Sequence, residues 1–151
     1  MSAISWLSRA IRQPPQRSLH LLIVDDEEPV RRFVDRVLLG VGYTTTTASG
    51  GADALRVAAT LGALDVLVTD LMMPEMAGDE LARQLRQRHP LLKVLYLRGF
   101  NDHLFEKKPT LWADEAFVDK PCSVTGLIQA VSLLWSERIF ADQRGVTAFD
   151  S

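Results

Sequence analysis

Apolar residues along this chain follow two alternating patterns. Short and nearly unbroken apolar runs occur as LLIV at 21–24, VLV at 66–68 and VLYL at 94–97, and polar residues follow each of them. Such runs are typical of parallel strands that are buried on both faces of a sheet. The segments between them carry apolar residues three and four positions apart, which is the spacing of one helical face. The pattern therefore predicts strands that alternate with helices.

Two weaker patterns complete the predicted sheet. YTTTTA at 43–48 is β-branched without apolar–polar contrast, which favours a strand near a sheet edge, and EAFVD at 115–119 is predicted to be the fifth strand. The first helix is expected to begin near Pro29, since proline suits a first helical turn. The residues predicted to face inward are Val30, Phe33, Val34, Val37, Leu38 and Val41 in the first helix, Leu55, Ala58 and Ala59 in the second, Leu81, Ala82 and Leu85 in the third, and Leu127, Val131 and Leu134 in the last.

Five strands alternating with helices predict one doubly wound α/β domain with right-handed crossovers. Ligands of such sheets bind beyond the carboxyl ends of the strands, where the strand order reverses. The residues at those ends are therefore the candidates for function, namely Asp25, Asp26, Asp70, Arg98 and the group Asp119–Lys120–Pro121.

Composition narrows the class of protein. A chain of 151 residues with 47% hydrophobic and 24% charged residues fits one globular domain and does not indicate a disordered or fibrous chain. A net charge of -2 gives no case for a nucleic-acid partner, which would favour a basic surface. The single cysteine, Cys122, excludes an internal disulfide framework and fits a reducing, cytoplasmic location.

Three parts are expected along the chain. Residues 1–18 form an N-terminal extension, in which Ile4, Leu7 and Ile11 share one face of a short amphipathic helix. Charged residues interrupt this segment, so it has neither the apolar core of a signal peptide nor the length of a membrane span, and no membrane association is expected. Residues 19–139 form the domain, and residues 140–151 form a patternless tail that we expect to be mobile.

The acidic strand ends have a chemical consequence if the first and third strands are neighbours. Asp25, Asp26 and Asp70 then converge, and two carboxylates ~4 Å apart repel each other by about 4 kcal/mol at an effective dielectric near 20. Such a cluster takes up protons or binds a cation, and its oxygen ligands suit Mg²⁺. With Lys120 added, it can bind a phosphoryl group that an aspartate accepts. Taken singly, each residue also has an ordinary interpretation, as a solvated helix N-terminus, a loop cap or a surface lysine.

Four motifs in this order resemble one known family: LLIVDDEEPVRRFV, DVLVTDLMMPEMAGDEL, KVLYLRGF and AFVDKPCS. They are similar to the receiver domain of bacterial two-component response regulators, over about residues 19–139. The resemblance implies a flavodoxin-like, doubly wound, five-stranded parallel sheet of order 2-1-3-4-5 with helices on both faces.

The same resemblance implies roles for single residues. Asp70 matches the phosphoacceptor. Asp26 matches a direct Mg²⁺ ligand, Asp25 matches one that binds through water, and the Met72 backbone carbonyl matches the remaining protein ligand. Lys120 matches the lysine that pairs with the acceptor and then with the phosphoryl group.

Three further positions concern the switch between states. Phe117 matches the aromatic rotamer switch, and the bond between Lys120 and Pro121 is expected to be cis. Arg98 stands where the family has a Ser or Thr whose hydroxyl binds the phosphoryl group, although arginine is long, charged and fork-shaped. Its side chain either faces solvent, reaches the phosphoryl group, or pairs with Asp70 or neighbouring acids before phosphorylation.

These matches imply a signalling phosphoacceptor that receives a phosphoryl group from a histidine kinase or phosphotransfer protein. We expect no output domain in this chain, and therefore action on a separate, unidentified downstream protein or a homodimer. Beyond self-catalysed phosphotransfer and slow autodephosphorylation, with Met72 and Phe100 flanking the acceptor, we expect no enzymatic activity. The alternative of a Mg²⁺-dependent phosphatase that forms an aspartyl-phosphate fits poorly, because such an enzyme needs an acid two residues after the nucleophile to protonate the leaving group, and this chain has Met72 there. The other alternative is a pseudo-receiver, a phosphorylation-independent binding module held in one state by Arg98.

Overall fold

A computed structural model describes residues 18–99 and 114–144, without the side chains of residues 136–144. Expectations for the extension up to residue 17, for Phe100 and for residues 145–151 lie outside the described residues. The strands are β1 (His20–Val24), β2 (Thr44–Ala48), β3 (Val66–Asp70), β4 (Lys93–Arg98) and β5 (Glu115–Asp119). The helices are α1 (Glu28–Val41), α2 (Gly51–Ala58), α3 (Gly78–Leu85) and α4 (Val124–Arg144).

The five strands form one sheet of order β2-β1-β3-β4-β5, and every neighbouring pair is parallel. This confirms the doubly wound α/β architecture and its order. The order reverses beside β1, because the chain passes from β1 outward to β2 and then returns to β3 on the other side of β1. The carboxyl ends of β1 and β3 are therefore adjacent at the position where such sheets bind ligands.

Helices cover both faces of the sheet, as predicted. On one face, α2 and α3 pack against β1, β3 and β4 through a buried cluster that includes Ala54, Leu81 and Leu85. On the other face, α1 and α4 bury Val34 and Leu127 against the same strands. The central strands β1, β3 and β4 are almost entirely buried, which explains why their sequences read as continuous apolar runs.

Several local predictions need correction. Phe33 is 37% exposed rather than inward, because it lies at the margin of the α1 stripe whose buried residues are Val34 and Leu38. In α2 the buried residues are Gly51, Ala54 and Ala58, so Ala58 faces inward as predicted, while Ala59 is exposed just after the helix ends at Ala58. The final helix continues past the predicted boundary at residue 139 and ends at Arg144.

Candidate functional site

Three aspartates meet at the carboxyl edge of the sheet. Val24 pairs with Thr69 across β1 and β3, so the residues that follow them, Asp25 and Asp70, lie side by side. One carboxylate oxygen from each of Asp25, Asp26 and Asp70 lies within 4.8 Å of the other two. Asp25 and Asp70 are buried, whereas Asp26 faces solvent. The predicted convergence of these residues is therefore present.

A lysine closes the acidic cluster from the side of β5. The Nζ atom of Lys120 lies 3.3 Å from Asp25 Oδ2 and 3.3 Å from Asp70 Oδ1. It also lies 3.4 Å from Glu27 Oε1, and the lysine side chain is only 13% exposed. The peptide bond between Lys120 and Pro121 is cis. One ammonium group thus forms ion pairs with both buried carboxylates.

Backbone and arginine donors fix the position of Asp25. The Glu27 backbone N–H donates a hydrogen bond to Asp25 Oδ1 at 2.9 Å. The Arg31 Nη1 atom, one turn into α1, donates to the Asp25 carbonyl oxygen at 2.8 Å. The sequence pattern assigns no role to Glu27 or Arg31. The available signal was their position: Glu27 directly follows the acid pair as the N-cap of α1, and Arg31 lies one turn further on.

A glycine allows α3 to approach the acceptor candidate closely. The Gly78 backbone N–H donates to the Leu71 carbonyl oxygen at 2.8 Å. A Cβ at position 78 would overlap the backbone carbonyl oxygen of Asp70. Sequence reasoning also missed Gly78, whose only signal was a glycine at the start of a predicted helix.

The two buried carboxylates are electrostatically unfavourable as anions. Burial, with the charge of Asp25, raises the pKa of Asp70 to about 7, and Lys120 opposes this only partly. Burial also raises the pKa of Asp25 against the opposing effects of the Glu27 N–H and Lys120. For Lys120, burial lowers the pKa, but the nearby carboxylate charges outweigh burial and the net pKa is raised. One ammonium group does not neutralise the cluster.

This donor set fits a hard divalent cation. It offers closely spaced carboxylate oxygens, carries excess negative charge, and leaves Asp26 open to water. Mg²⁺ prefers one or two carboxylates and retains several water ligands. Met72, expected to add its carbonyl oxygen, follows Asp70 by two residues, and its side chain is 49% exposed.

Arg98 contacts the neighbouring strand β5. Its Nε atom donates to Asp119 Oδ1 at 3.0 Å, and its guanidinium carbon lies 4.5 Å from the centre of the Phe117 ring. The Arg98 side chain is 17% exposed, so the interpretation in which it simply faces solvent is wrong. Phe117 is half-buried and packs on Tyr96, with ring centroids 5.3 Å apart.

A cleft of about 520 Å³ opens beside Lys120. Its apolar lining comes from α1 and from the segment between β5 and α4, namely Pro29, Val30, Phe33, Pro121 and Cys122. The exposed ring of Phe33 thus belongs to a concave, largely apolar surface next to Lys120 of the acidic cluster.

Residues 21–132 match the family described as the response regulator receiver domain. The chain belongs to this receiver family. It is 30% identical over 111 residues to the response regulator receiver protein CpdR of Brucella abortus (strain 2308), a match that covers 74% of the chain and 92% of CpdR. It is 36% identical over 115 residues to the sensor kinase CckA of the same organism, covering 76% of the chain but 12% of CckA.

Solved receiver structures have the same fold. A response regulator receiver protein from Sinorhizobium medicae WSM419 superposes with a TM-score of 0.67 at 27% identity, covering 81% of this chain and 98% of that one. Receiver domains are signalling phosphoacceptors of two-component systems, with an acidic Mg²⁺ pocket and histidine kinases or phosphotransfer proteins as partners. Within the described residues, no helix is long and apolar enough to cross a membrane.

Proposed function

We propose that this receiver accepts a phosphoryl group on Asp70 and signals through contacts with other proteins. The observation that carries the proposal is the convergence of Asp25, Asp26 and Asp70 with the Lys120 ammonium group at the carboxyl edge of the sheet. A phosphoryl acceptor needs a nucleophilic oxygen beside positive charge that stabilises the transferred group. In the described part of the chain, these four residues supply that combination.

In the proposed reaction, a carboxylate oxygen of Asp70 attacks the phosphorus atom of a phosphohistidine. The new O–P bond forms as the P–N bond breaks. The electron pair of the P–N bond goes to the imidazole nitrogen, which is then protonated. The Lys120 ammonium group, already 3.3 Å from Asp70 Oδ1, can follow the charge onto the phosphoryl oxygens. Mg²⁺ held by Asp25, Asp26, Asp70 and the Met72 carbonyl would neutralise further phosphoryl charge.

The proposed donor is a histidine kinase or phosphotransfer protein, and the cleft lined by Pro29, Val30, Phe33, Pro121 and Cys122 supports docking next to Asp70. Its lining is largely apolar, as the fully buried cores of protein interfaces are. The relationship to CckA, a sensor kinase by name, supports the same class of donor. A phosphohistidine donor also implies a cytoplasmic location.

Phosphorylation with a small-molecule donor tests the proposal. The parent protein, Asp70→Asn and the control Asp79→Asn are incubated with Mg²⁺ and acetyl phosphate, and intact mass is recorded. The parent and the Asp79→Asn variant, which alters an exposed acid of α3, should gain the mass of one phosphoryl group, and Asp70→Asn should not. Equal modification of Asp70→Asn and the parent would refute Asp70 as the acceptor.

The second candidate is a pseudo-receiver, a binding module that works without phosphorylation. The observation in its favour is that Arg98, in the position of the switch hydroxyl, is engaged with Asp119 and Phe117 on β5. A protein that phosphodonors leave unmodified under all conditions, yet that binds its partner, would favour this candidate.

A further inference from the structure

The Phe117 ring contacts two side chains of β4. The centroids of the Tyr96 and Phe117 rings are 5.3 Å apart, with planes inclined at 39°, and the Arg98 guanidinium carbon lies over the Phe117 ring, 4.5 Å from its centre. The register explains this grouping, because Tyr96 pairs with Phe117 and Arg98 pairs with Asp119. Alternation along parallel strands then places all four side chains on the same face of the sheet.

Arg98 contacts two residues of β5 at once. Its Nε atom donates to Asp119 Oδ1 at 3.0 Å while the guanidinium plane stays near the Phe117 ring. A cation–π contact at an exposed site is worth about a two- to fivefold change in an equilibrium. An exposed ion pair adds up to about fivefold. Together they are enough to hold a half-buried aromatic ring predominantly in one position.

The direction of the Arg98 side chain separates it from the acceptor candidate. In the sheet, β4 lies between β3, which carries Asp70, and β5, which carries Phe117 and Asp119. The guanidinium group therefore binds on the side of β4 opposite to Asp70. The main chain of Arg98 does adjoin the site, because its carbonyl oxygen accepts a hydrogen bond from the Lys120 N–H at 2.7 Å.

We propose that Arg98 is a positioning residue that clamps Phe117 against Tyr96, whether or not Asp70 carries a phosphoryl group. The surface formed by the carboxyl halves of β4 and β5 is then preset, that is, it has the same conformation before and after phosphorylation. Replacement of Arg98 by an uncharged residue should restore the mobility of the Phe117 ring. The statement about phosphorylated Asp70 rests on the proposed function, whereas the clamp in the unmodified protein does not.

The first experiment uses the unmodified protein with 4-fluorophenylalanine incorporated at position 117. Fluorine NMR spectra are compared for the parent, Arg98→Thr, Arg98→Lys and the control Arg83→Thr, which alters an exposed arginine of α3. In Arg98→Thr, the population of a second ring environment should rise by about fivefold, because the cation–π contact and the ion pair are both lost. Arg98→Lys should give an intermediate population, because lysine keeps the positive charge but lacks the planar guanidinium group. Arg83→Thr should match the parent. An unchanged spectrum of Arg98→Thr would overturn the clamp.

The second experiment adds Mg²⁺ and beryllofluoride, a phosphoryl mimic, to the same proteins. Amide resonances of Asp70 and Lys120 report whether the site is loaded. In the parent these amides should shift while the fluorine signal at position 117 stays in place, and in Arg98→Thr both should shift. A fluorine shift in the parent as large as in Arg98→Thr would overturn the preset surface. Amides that never respond would instead count against the proposed function, and the first experiment would still decide whether the clamp exists.

Discussion

Burial divides the three aspartates of the site into two kinds. Asp25 and Asp70 are closed off from water, and Asp26 is exposed. A buried carboxylate is unfavourable as an anion unless a counter-charge is present. Lys120 supplies one positive charge for both buried acids, so the metal-free site keeps a tendency to take up a proton.

The raised pKa of Asp70 predicts a pH-dependent stability of the metal-free protein. Its pKa is about 7 when folded, against ~3.9 in an unfolded chain, so the folded state binds more protons between these values. The free energy of unfolding should therefore fall as pH rises from about 4 to about 7. Asp70→Asn removes this titration and should be more stable than the parent at neutral pH by at least about 1.4 kcal/mol, the equivalent of one pKa unit.

Urea unfolding in the presence of EDTA measures this difference across the pH range. The gain of Asp70→Asn should shrink toward pH 4, and the control Asp79→Asn should follow the parent throughout. An Asp70→Asn variant that is less stable than the parent at neutral pH would show that the buried carboxylate does not destabilise the folded state.

Lys120 is predicted to act mainly on the transferred phosphoryl group. A hydrogen bond to a charged group contributes about 1.5–3 kcal/mol. Lys120→Gln should therefore slow phosphorylation of Asp70 by about 10- to 100-fold. The rate of acetyl phosphate labelling measures this, with Arg32→Gln, a change in an exposed arginine of α1, as the control. A rate within twofold of the parent would exclude a direct role for the ammonium group.

At the scale of elements, the tight contact between α3 and the end of β3 has a testable consequence. A Cβ on Gly78 would overlap the Asp70 carbonyl oxygen, so Gly78→Ala should destabilise the fold by about 1–3 kcal/mol, as overpacked sites do. Gly40→Ala, in α1 with open space around its Cβ, should instead stabilise by up to about 1 kcal/mol.

Thermal unfolding of both variants checks the comparison. Opposite signs for the two glycines are expected, and phosphorylation of Asp70 should weaken only in Gly78→Ala. A neutral effect of Gly78→Ala on both stability and labelling would mean that α3 does not constrain the acceptor.

The helices and strands could be predicted from the sequence, but contacts between side chains that are distant in the chain could not. The strands β1, β3 and β4 could be predicted because both of their faces are buried, which leaves an apolar run that is easy to recognise. The contact between Arg98 and Asp119 could not, because the residues are 21 positions apart and meet only through the β4–β5 register. The sequence predicts Phe33 to face inward, although it is exposed, because apolar spacing identifies the centre of a helical face more clearly than its margin.

At the scale of the whole molecule, the reversal of strand order assembles the site. Asp25 follows β1, Asp70 ends β3 and Lys120 follows β5, so the acidic cluster exists only when the complete sheet is formed. A ligand of that cluster binds the folded state and not the unfolded chain, which links its binding to global stability.

Mg²⁺ is therefore predicted to stabilise the whole domain. At a concentration about 100 times its dissociation constant, a ligand specific for the folded state adds about 2.7 kcal/mol. The melting temperature of the parent should rise with Mg²⁺ concentration, and the rise should be largely lost in Asp25→Asn but retained in the control Asp35→Asn. An equal rise in all three proteins would indicate nonspecific ion effects.

The role of Asp70 is tested most directly by identifying the residue that carries the phosphoryl group. After labelling with Mg²⁺ and acetyl phosphate, borohydride reduces an aspartyl phosphate to homoserine, and peptide mass spectrometry locates the changed position. If Asp70 is the acceptor, homoserine should appear at position 70 and at no other acidic residue. Reduction at a different aspartate, or no reduction in a protein that is otherwise folded and binds Mg²⁺, would contradict this role.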